Sequence, residues 1–451
     1  MSELAIIVLA AGMGTRMKSA TPKVLHKIAG RSMLAHVLSA GKALGAHKAV
    51  VVLGPDMPAV QEEALAVLPG SIFAEQRERR GTGHAVSMAK AALAGFKGTV
   101  LTLWGDAPLV KPATLKALAA RLDAKHKMAV LAFEAEDPFG YGRLITKGKT
   151  VLDIREELDA TPKERQLTLC NSGYIAIDNE LLWTLIPKLT NKNAKGEFYL
   201  TDLVKLANRA KTKVAFAVCA EMEVAGVNDR NQLSVLERHF QCEARRAAMA
   251  GGATLIDPDT VYFSADTKLG QDVLIEPNVF FGPGVVIADG VTIHANSHIE
   301  GTTIALGAKI GPFARLRPGA EIGENAHIGN FVEVKKAIIG KGAKANHLTY
   351  IGDARIGAGS NIGAGTITCN YDGYQKHLTD IGENVFVGSN TSLVAPVKIG
   401  AGANIAAGSV ITHDVPADAM AMTRPELQIK DGWAKRYRAI KQAQKVAKSK
   451  P

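Results

Sequence analysis

The sequence predicts an α/β domain followed by a parallel β-helix, and three observations carry that expectation. Short β-branched runs alternate with amphipathic segments up to about residue 227, a six-residue hydrophobic period takes over after Gly252, and one helical pattern lies between them. At 451 residues the chain exceeds a typical domain of about 100–200 residues, so more than one core is expected.

In the first part, "AIIVLAA", "AVVVLG", "TVLTLWGD" and "MAVLAFEA" read as buried strands, with segments such as "SMLAHVLSAGKALG" as helices between them. That rhythm belongs to a mostly parallel sheet. From Asp229 to Ala250, the residues Leu233, Leu236, Phe240, Ala244 and Ala247 share a helical face, with Asp229 as N-cap and Gly251 and Gly252 past the end. One connecting helix is expected over 229–250, which divides the chain into 1–228, the helix, and 251–451.

In the second half, 24 hexad positions run from Leu269 to Ile411, and 21 of them are Ile, Leu or Val; the exceptions are Phe281, Ala345 and Thr368. Three hexads per coil make eight coils, a prism about 38 Å long at ~4.8 Å per strand. The next residue is often small, as in "IGP", "IGE", "IGN" and "VGS", where a tight corner favours glycine. The period breaks between 368 and 381, so "CNYDGYQKHLTD" is expected to leave the coil as a loop, a place where function tends to sit.

Composition narrows the function classes. Cys170, Cys219, Cys242 and Cys369 show no C-x-x-C spacing and read as reduced, mostly buried thiols. The apolar run at the N-terminus is too short for a membrane span and lacks the flanks of a signal peptide, so a cytoplasmic protein with no membrane partner is expected. Of the net charge of +11, residues 425–451 hold +6, from eight Lys or Arg against Glu426 and Asp431. That distribution describes a solvated or frayed basic tail, not a nucleic-acid-binding surface, since no reading motif accompanies it.

The chemistry begins at "VLAAGMGTRMKS", Val8 to Ser19, which matches neither a Rossmann fingerprint nor a Walker A loop because Met17 replaces the last glycine. Backbone amides in such a turn, the positive end of a following helix, and the cations of Arg16, Lys18 and Lys23 suit a polyphosphate. Asp106, at a strand end, reads as a metal-binding carboxylate.

The stretch "LAAGMGTRMKSATPKVLHKIAG" resembles the signature of sugar nucleotidylyltransferases. Together with "GTGHA", "WGDAP", "GYGR", "NSG", "EFYLTD", "GVNDR" and the hexapeptide half, the chain is similar from Ile6 to Trp433 to a bifunctional bacterial family. Its members are N-acetylglucosamine-1-phosphate uridyltransferases and glucosamine-1-phosphate N-acetyltransferases. The resemblance implies a Rossmann-like nucleotidyltransferase domain and a left-handed parallel β-helix.

For the first domain it implies attack of a sugar 1-phosphate on the α-phosphorus of UTP. Asp106 and Asn228 would hold Mg²⁺, and Arg16 and Lys23 would stabilise the phosphates. Leu9, Ala10, Ala11 and Gly12 would line the nucleotide, Gln76, Gly81 and Thr82 would meet the uracil, and Gly142, Glu156 and Asn171 would meet the sugar. Arg79 and Trp104 depart from the commoner glutamine and tyrosine; the first weakens the uracil reading and the second is expected to be neutral.

In the second half, "NHLTYIGDARIGAGSNIGAGTITCNYDG" resembles the acetyltransferase site of the same family. His347 would be the base, while His294, His298, His327, His377 and His413 read as structural. Arg317, Lys335, Tyr350 and Asn361 would grip glucosamine 1-phosphate. Ala364, Asn370, Tyr371, Ser389, Ala407 and Arg424 would meet acetyl-CoA, with Ser389 polarising the thioester oxygen. The resemblance further implies a homotrimer with shared acetyl-transfer sites and a product, UDP-N-acetylglucosamine, that feeds peptidoglycan and lipopolysaccharide. Two alternatives stay open on the residues alone: a nucleotidylyltransferase with a regulatory β-helix, and a non-enzymatic solenoid binding protein.

Overall fold

All four runs read as strands form strands of one sheet. In the computed structural model, which describes residues 3–424 and 426–448, β1 (Glu3–Leu9), β2 (Lys48–Leu53), β3 (Ile72–Glu75), β4 (Gly98–Trp104) and β5 (Met128–Glu134) are joined by β6 (Arg143–Lys147), β7 (Thr150–Arg155), β8 (Leu169–Asp178) and β9 (Val214–Cys219). The strand order is β3-β2-β1-β4-β8-β5-β9-β7-β6. The strands β3, β2, β1 and β4 run parallel, and β8 runs antiparallel between β4 and β5.

These strands are apolar on both sides because both faces of the sheet are covered. On one face Ile6, Val8, Val51, Leu101 and Leu103 pack with Leu34, Val37 and Leu38 of α1 (Met33–Ala43) and with Leu115 and Leu118 further along. On the other, Ile7, Val50, Val52 and Val100 pack with Val86, Leu182, Leu203 and Val204.

No helix follows the glycine turn directly, contrary to expectation. Gly14 and Lys18 are left-handed, a single 3₁₀ turn spans Thr15–Met17, a second spans Lys23–Leu25, and α1 starts only at Met33 with the Ser32 hydroxyl as its cap. Pro22 explains the delay, since the residue before a proline is pushed out of the helical region. The turn therefore offers backbone amides and side-chain cations without a helix dipole.

The connecting helix, α2 (Arg230–Ala250), is capped as expected: Gln232 N–H donates to Asp229 Oδ1 at 2.9 Å. Its first half buries Leu236 and packs Leu233 and Phe240 against Met17, Ile28, Met33 and Val227. Its second half departs from the apolar face, because Ala247 is exposed while Gln241 and Arg245 are buried. The cause is the extended backbone beside it: Gln241 exchanges two 2.8 Å hydrogen bonds with Phe263, and Arg245 donates to the carbonyls of Val261 and Asp259.

The chain divides into two compact units, the first running to Thr267 with Phe280–Val285, the second comprising Lys268–Val279 and the chain from Val286 on. The second unit is a stack of parallel coils with three faces. One face shows the register clearly: Ile293, Ile310, Ile328, Ala345, Ile362, Val387 and Ile405 pair in succession. From Ile275 onward every hexad position is buried. Thr368 is accommodated because its hydroxyl bonds both the N–H and the carbonyl of Gly352.

The hexad glycines have a different reason from the one expected. Only Gly311 among them, at φ +92°, is left-handed; such backbone otherwise falls elsewhere in the repeat, at residues such as Asn296, Asn325, Asn384 and Asn390. A Cβ on Gly363 would instead lie 2.6 Å from Ser389 N, and on Gly388 2.4 Å from Ala407 N. Small residues there let the next coil approach.

The interruption after Thr368 is the expected loop. Ile356, Ile362 and Thr368 pair with Ile381, Val387 and Leu393 on three faces, so the coils close normally around it. Two expectations are corrected. Only Cys170 of the four cysteines is buried, although burial pushes the thiols of Cys170 and Cys219 up to about 11 and about 12. The basic tail is solvated as expected but not frayed: residues 426–445 are exposed, and the chain is helical over Trp433–Lys448, where Ala, Lys, Arg and Gln are good helix formers and Trp433 stacks on Tyr437 at 4.9 Å. Its final three residues lie outside the described residues.

Candidate active sites

Residues Leu9 and Trp104 are register partners at the carboxyl ends of adjacent parallel strands, so the turn after β1 and the Asp106 segment emerge side by side. They open into a cleft of about 330 Å³ that also takes in Ala10, Ala11, Gly12, Lys23, Gln76, Gly81, Thr82 and Asn228. Four polar side chains converge there. The Lys23 ammonium is paired with Asp106 Oδ2 and lies 3.5 Å from Asn228 Oδ1, and Arg16 Nη2 donates to that same oxygen at 2.9 Å. Val227 N–H donates to the Asp106 carbonyl at 2.9 Å, which holds the two oxygen-bearing segments together.

Gln76 is buried, donating to the Gly81 carbonyl and meeting His84 Nδ1, each at 3.2 Å. Thr82 Oγ1 accepts from Leu200 N–H at 3.0 Å. Arg79 is anchored, with Nε donating to the Ala11 carbonyl at 2.9 Å. Trp104 also lines the cleft, as does Glu197, a residue sequence reasoning passed over although it sits in the quoted "EFYLTD".

Gly142, Glu156 and Asn171 form a second cluster. Asn171 N–H donates to the Gly142 carbonyl at 2.7 Å, where β8 bulges, and Glu156 Oε2 lies 3.4 Å from where a Gly142 side chain would begin. Burial pushes the Glu156 carboxyl above the usual range despite the hydrogen bond from Thr201 Oγ1 at 2.9 Å. Beside this cluster Arg143 is fully buried and paired with Glu157 at 2.6 Å, a structural ion pair.

In the coil stack, five of the residues expected to serve acetyl transfer, His347, Ala364, Ser389, Ala407 and Arg424, follow one another on successive coils. Asn330 and His347 are register partners, Asn390 N–H donates to the Ala364 carbonyl, Gly408 N–H donates to that of Ser389, and Arg424 Nε donates to that of Ala407 at 2.9 Å. The His347 ring is exposed, and its Nδ1 meets Asn330 Oδ1 at 2.7 Å. An amide oxygen can only accept, so Nδ1 carries the hydrogen and Nε2 is left free as a base. Asn330 was not foreseen; the only signal was its place in "IGN".

A second group forms where Glu333 pairs with Tyr350 and Lys335 with Gly352. Arg317 Nη1 donates to Glu333 Oε1 at 2.7 Å. Lys376, from the loop, brings a second ammonium near Lys335, and this neighbouring charge holds Lys335 below the usual lysine range. Lys335, Lys376 and Arg317 gather positive charge here, which suits an anion, and Lys376 was not foreseen. Asn370 and Tyr371 open the same loop, which Asp372 closes by accepting from Tyr374 and Gln375 N–H groups. Asn361 sits apart: its register neighbours are Lys344 and Phe386, not Arg317, Lys335 or Tyr350.

A glycine turn with cations beside it on a doubly covered sheet, followed by a hexapeptide coil stack with its own histidine, is the arrangement of a nucleotidyltransferase joined to a second transferase. Residues 6–169 match the MobA-like NTP transferase domain, and 266–301, 301–336 and 379–413 match the bacterial transferase hexapeptide repeats. The chain is 55% identical to the bifunctional protein GlmU of Azorhizobium caulinodans, over 98% of this chain and 99% of that protein. It is 54% identical to that of Paramagnetospirillum magneticum over 99% of each. The chain belongs to the bifunctional GlmU family. It is an acetyltransferase and uridylyltransferase in one polypeptide, with a left-handed parallel β-helix as its second domain.

Proposed function

We propose that the chain makes UDP-N-acetylglucosamine in two steps, and the observation that carries the reading is that each unit holds a polar constellation of its own suited to one step. In the β-helix, the amine of glucosamine 1-phosphate attacks the thioester carbonyl of acetyl-CoA. The C–N bond forms, the C–S bond breaks, and His347 Nε2 takes the amine proton and passes it to the departing thiolate, so that CoA leaves as its thiol. Arg317, Lys335, Tyr350 and Lys376 hold the sugar phosphate; Ala364, Asn370, Tyr371, Ser389, Ala407 and Arg424 hold acetyl-CoA, with Ser389 at the thioester oxygen.

In the first domain, a phosphate oxygen of N-acetylglucosamine 1-phosphate attacks the α-phosphorus of UTP, and the α–β bridge breaks to release pyrophosphate. Leu9 to Gly12 line the nucleotide, Gln76, Gly81 and Thr82 read the uracil, and Gly142, Glu156 and Asn171 hold the sugar. Arg16 and Lys23 neutralise the charge that builds on the phosphates.

Mg²⁺ fits this centre. Asp106 Oδ2 and Asn228 Oδ1 already share a cation, the Lys23 ammonium, which stands in for a divalent ion. Two protein oxygens with no further acidic cluster among the described residues suit an ion that keeps water and phosphate ligands. When bound it would polarise the phosphates, while Lys23 would swing from Asp106 to the triphosphate.

The assembly is a homotrimer. Asn361, placed on a different sheet from Lys335 and Tyr350, is then the contribution of a neighbouring copy to the sugar site. The substrates are cytoplasmic metabolites and no described helix is long and apolar enough to cross a membrane, which supports a cytoplasmic enzyme supplying peptidoglycan and lipopolysaccharide synthesis. The test is to incubate the protein with glucosamine 1-phosphate, acetyl-CoA, UTP and Mg²⁺ and follow products by mass spectrometry. UDP-N-acetylglucosamine, CoA and pyrophosphate are expected. Accumulation of N-acetylglucosamine 1-phosphate alone would overturn the uridylyl assignment.

A further inference from the structure

We propose that Arg230, gripped by His26, is a positioning residue for the uridylyl-transfer centre, an inference that rests on the reading of that centre given above. The four side chains of the centre come from separate stretches: Arg16 from the turn after β1, Lys23 from the second 3₁₀ turn, Asp106 after β4, and Asn228 just before α2. The last two stretches are fastened by Val227. Arg230 fastens them to the first two. Its Nε donates to the Met17 carbonyl at 3.3 Å, one residue past Arg16, and its Nη1 donates to His26 Nδ1 at 3.3 Å. His26 in turn closes the turn that carries Lys23, its N–H donating to the Lys23 carbonyl at 3.2 Å.

The histidine itself is the second observation. Its residue is 8% exposed, and the Nε2 atom is buried with no hydrogen bond of good geometry among the described residues, its one neighbouring acceptor being in the Thr21 backbone. With Nδ1 accepting from a guanidinium, the ring hydrogen is on Nε2. A leucine would fill similar space without burying an N–H that meets only the Thr21 backbone in poor geometry, so packing does not account for an imidazole here. Its grip on Arg230 does. Burial and the Arg230 charge both push His26 below the usual histidine range, which keeps the accepting lone pair in place.

Displacing a reacting group by about 1 Å costs roughly 10²-fold in rate. Arg230→Met and His26→Leu are each expected to lower the uridylyl-transfer kcat by about 10- to 100-fold while leaving the KM for UTP within about threefold, because neither residue touches the nucleotide. Since both act through one contact, the double variant should be no slower than the slower single one. His26→Gln, which restores an acceptor, should recover part of the rate. Acetyl transfer in the same preparations reports whether the chain has folded, and wild-type uridylyl transfer reports on the underlying assignment. Unchanged kcat in both single variants, or a double variant slowed by the product of the two effects, would overturn the proposal; loss of both activities in His26→Leu would leave Arg230→Met and the Gln rescue to decide.

Discussion

Two glycines of one turn should fail in opposite ways. Gly14 has φ +64°, and a Cβ there would fall 2.5 Å from Lys23 Cβ and 3.4 Å from Lys23 Cα. The left-handed backbone costs an L-residue about 1–2 kcal/mol, and carbon atoms ordinarily stay ~3.5 Å or more apart, so the turn and Lys23 must separate by about 1 Å. That moves the Lys23 ammonium off Asp106. Gly14→Ala is therefore expected to lower the kcat of uridylyl transfer by about 10²-fold and the melting temperature by roughly 2–8 °C, at ~2–4 °C per kcal/mol. Gly12 has no positive φ, and its Cβ would meet only Lys23 Cε, at 3.8 Å, on the wall of the cleft. Gly12→Ala should leave the melting temperature unchanged and raise the KM for UTP, because the methyl takes up space meant for the nucleotide. The assays are pyrophosphate release, calorimetric melting, and CoA thiol release as an internal control. A fully active Gly14→Ala, or a Gly12→Ala that melts early with its KM intact, would refute the reasoning.

His347→Ala should cost acetyl transfer about 10²–10⁴-fold, and Asn330→Ala about 5- to 10-fold, the worth of one hydrogen bond of ~1 kcal/mol, with uridylyl transfer unchanged in both; CoA release against pyrophosphate release reads the difference. The Glu156 carboxyl has its folded pKa raised by burial, so its contribution to stability is full below the unfolded value of about 4.3 and is lost as pH rises through the folded one. Glu156→Gln cannot ionise and should melt progressively higher than wild type as pH climbs from the unfolded carboxyl value through the raised folded one, while binding N-acetylglucosamine 1-phosphate less well; a melting difference that shrinks with pH would contradict this. Gly363→Ala puts a Cβ 2.6 Å from Ser389 N, a backbone atom, and should cost the β-helix about 1–3 kcal/mol with the first domain's melting unaffected, as two-transition calorimetry would resolve.

Much of the fold was legible because it is written in periods. The hexads from Ile275 to Ile411 are buried as their spacing implied, and the four apolar runs are strands because a sheet covered on both faces needs no alternation. What misled was local chemistry with a distant partner. Gln241 and Arg245 look polar and outward on a helical wheel, yet they are buried to satisfy backbone groups between Asp259 and Phe263. The glycine turn looked like the start of a helix, but the stretch ending at Pro22 carries the chain through two 3₁₀ turns first.

The candidate sites divide in the same way. The sequence by itself determined the kinds of group present: a glycine turn with cations, a strand-end aspartate, a histidine among hexads. It could do so because residue type and short-range spacing specify hydrogen-bonding capacity, charge and local backbone shape. Only the tertiary structure decided that Lys23 is shared by Asp106 and Asn228, that Asn330 orients His347, that the Lys376 charge comes near Lys335, and that His26 and Arg230 brace the turn. Each of those pairs joins residues from different elements, and their approach depends on sheet order and coil register, which arise from burial of the whole core and leave no periodic trace between the partners.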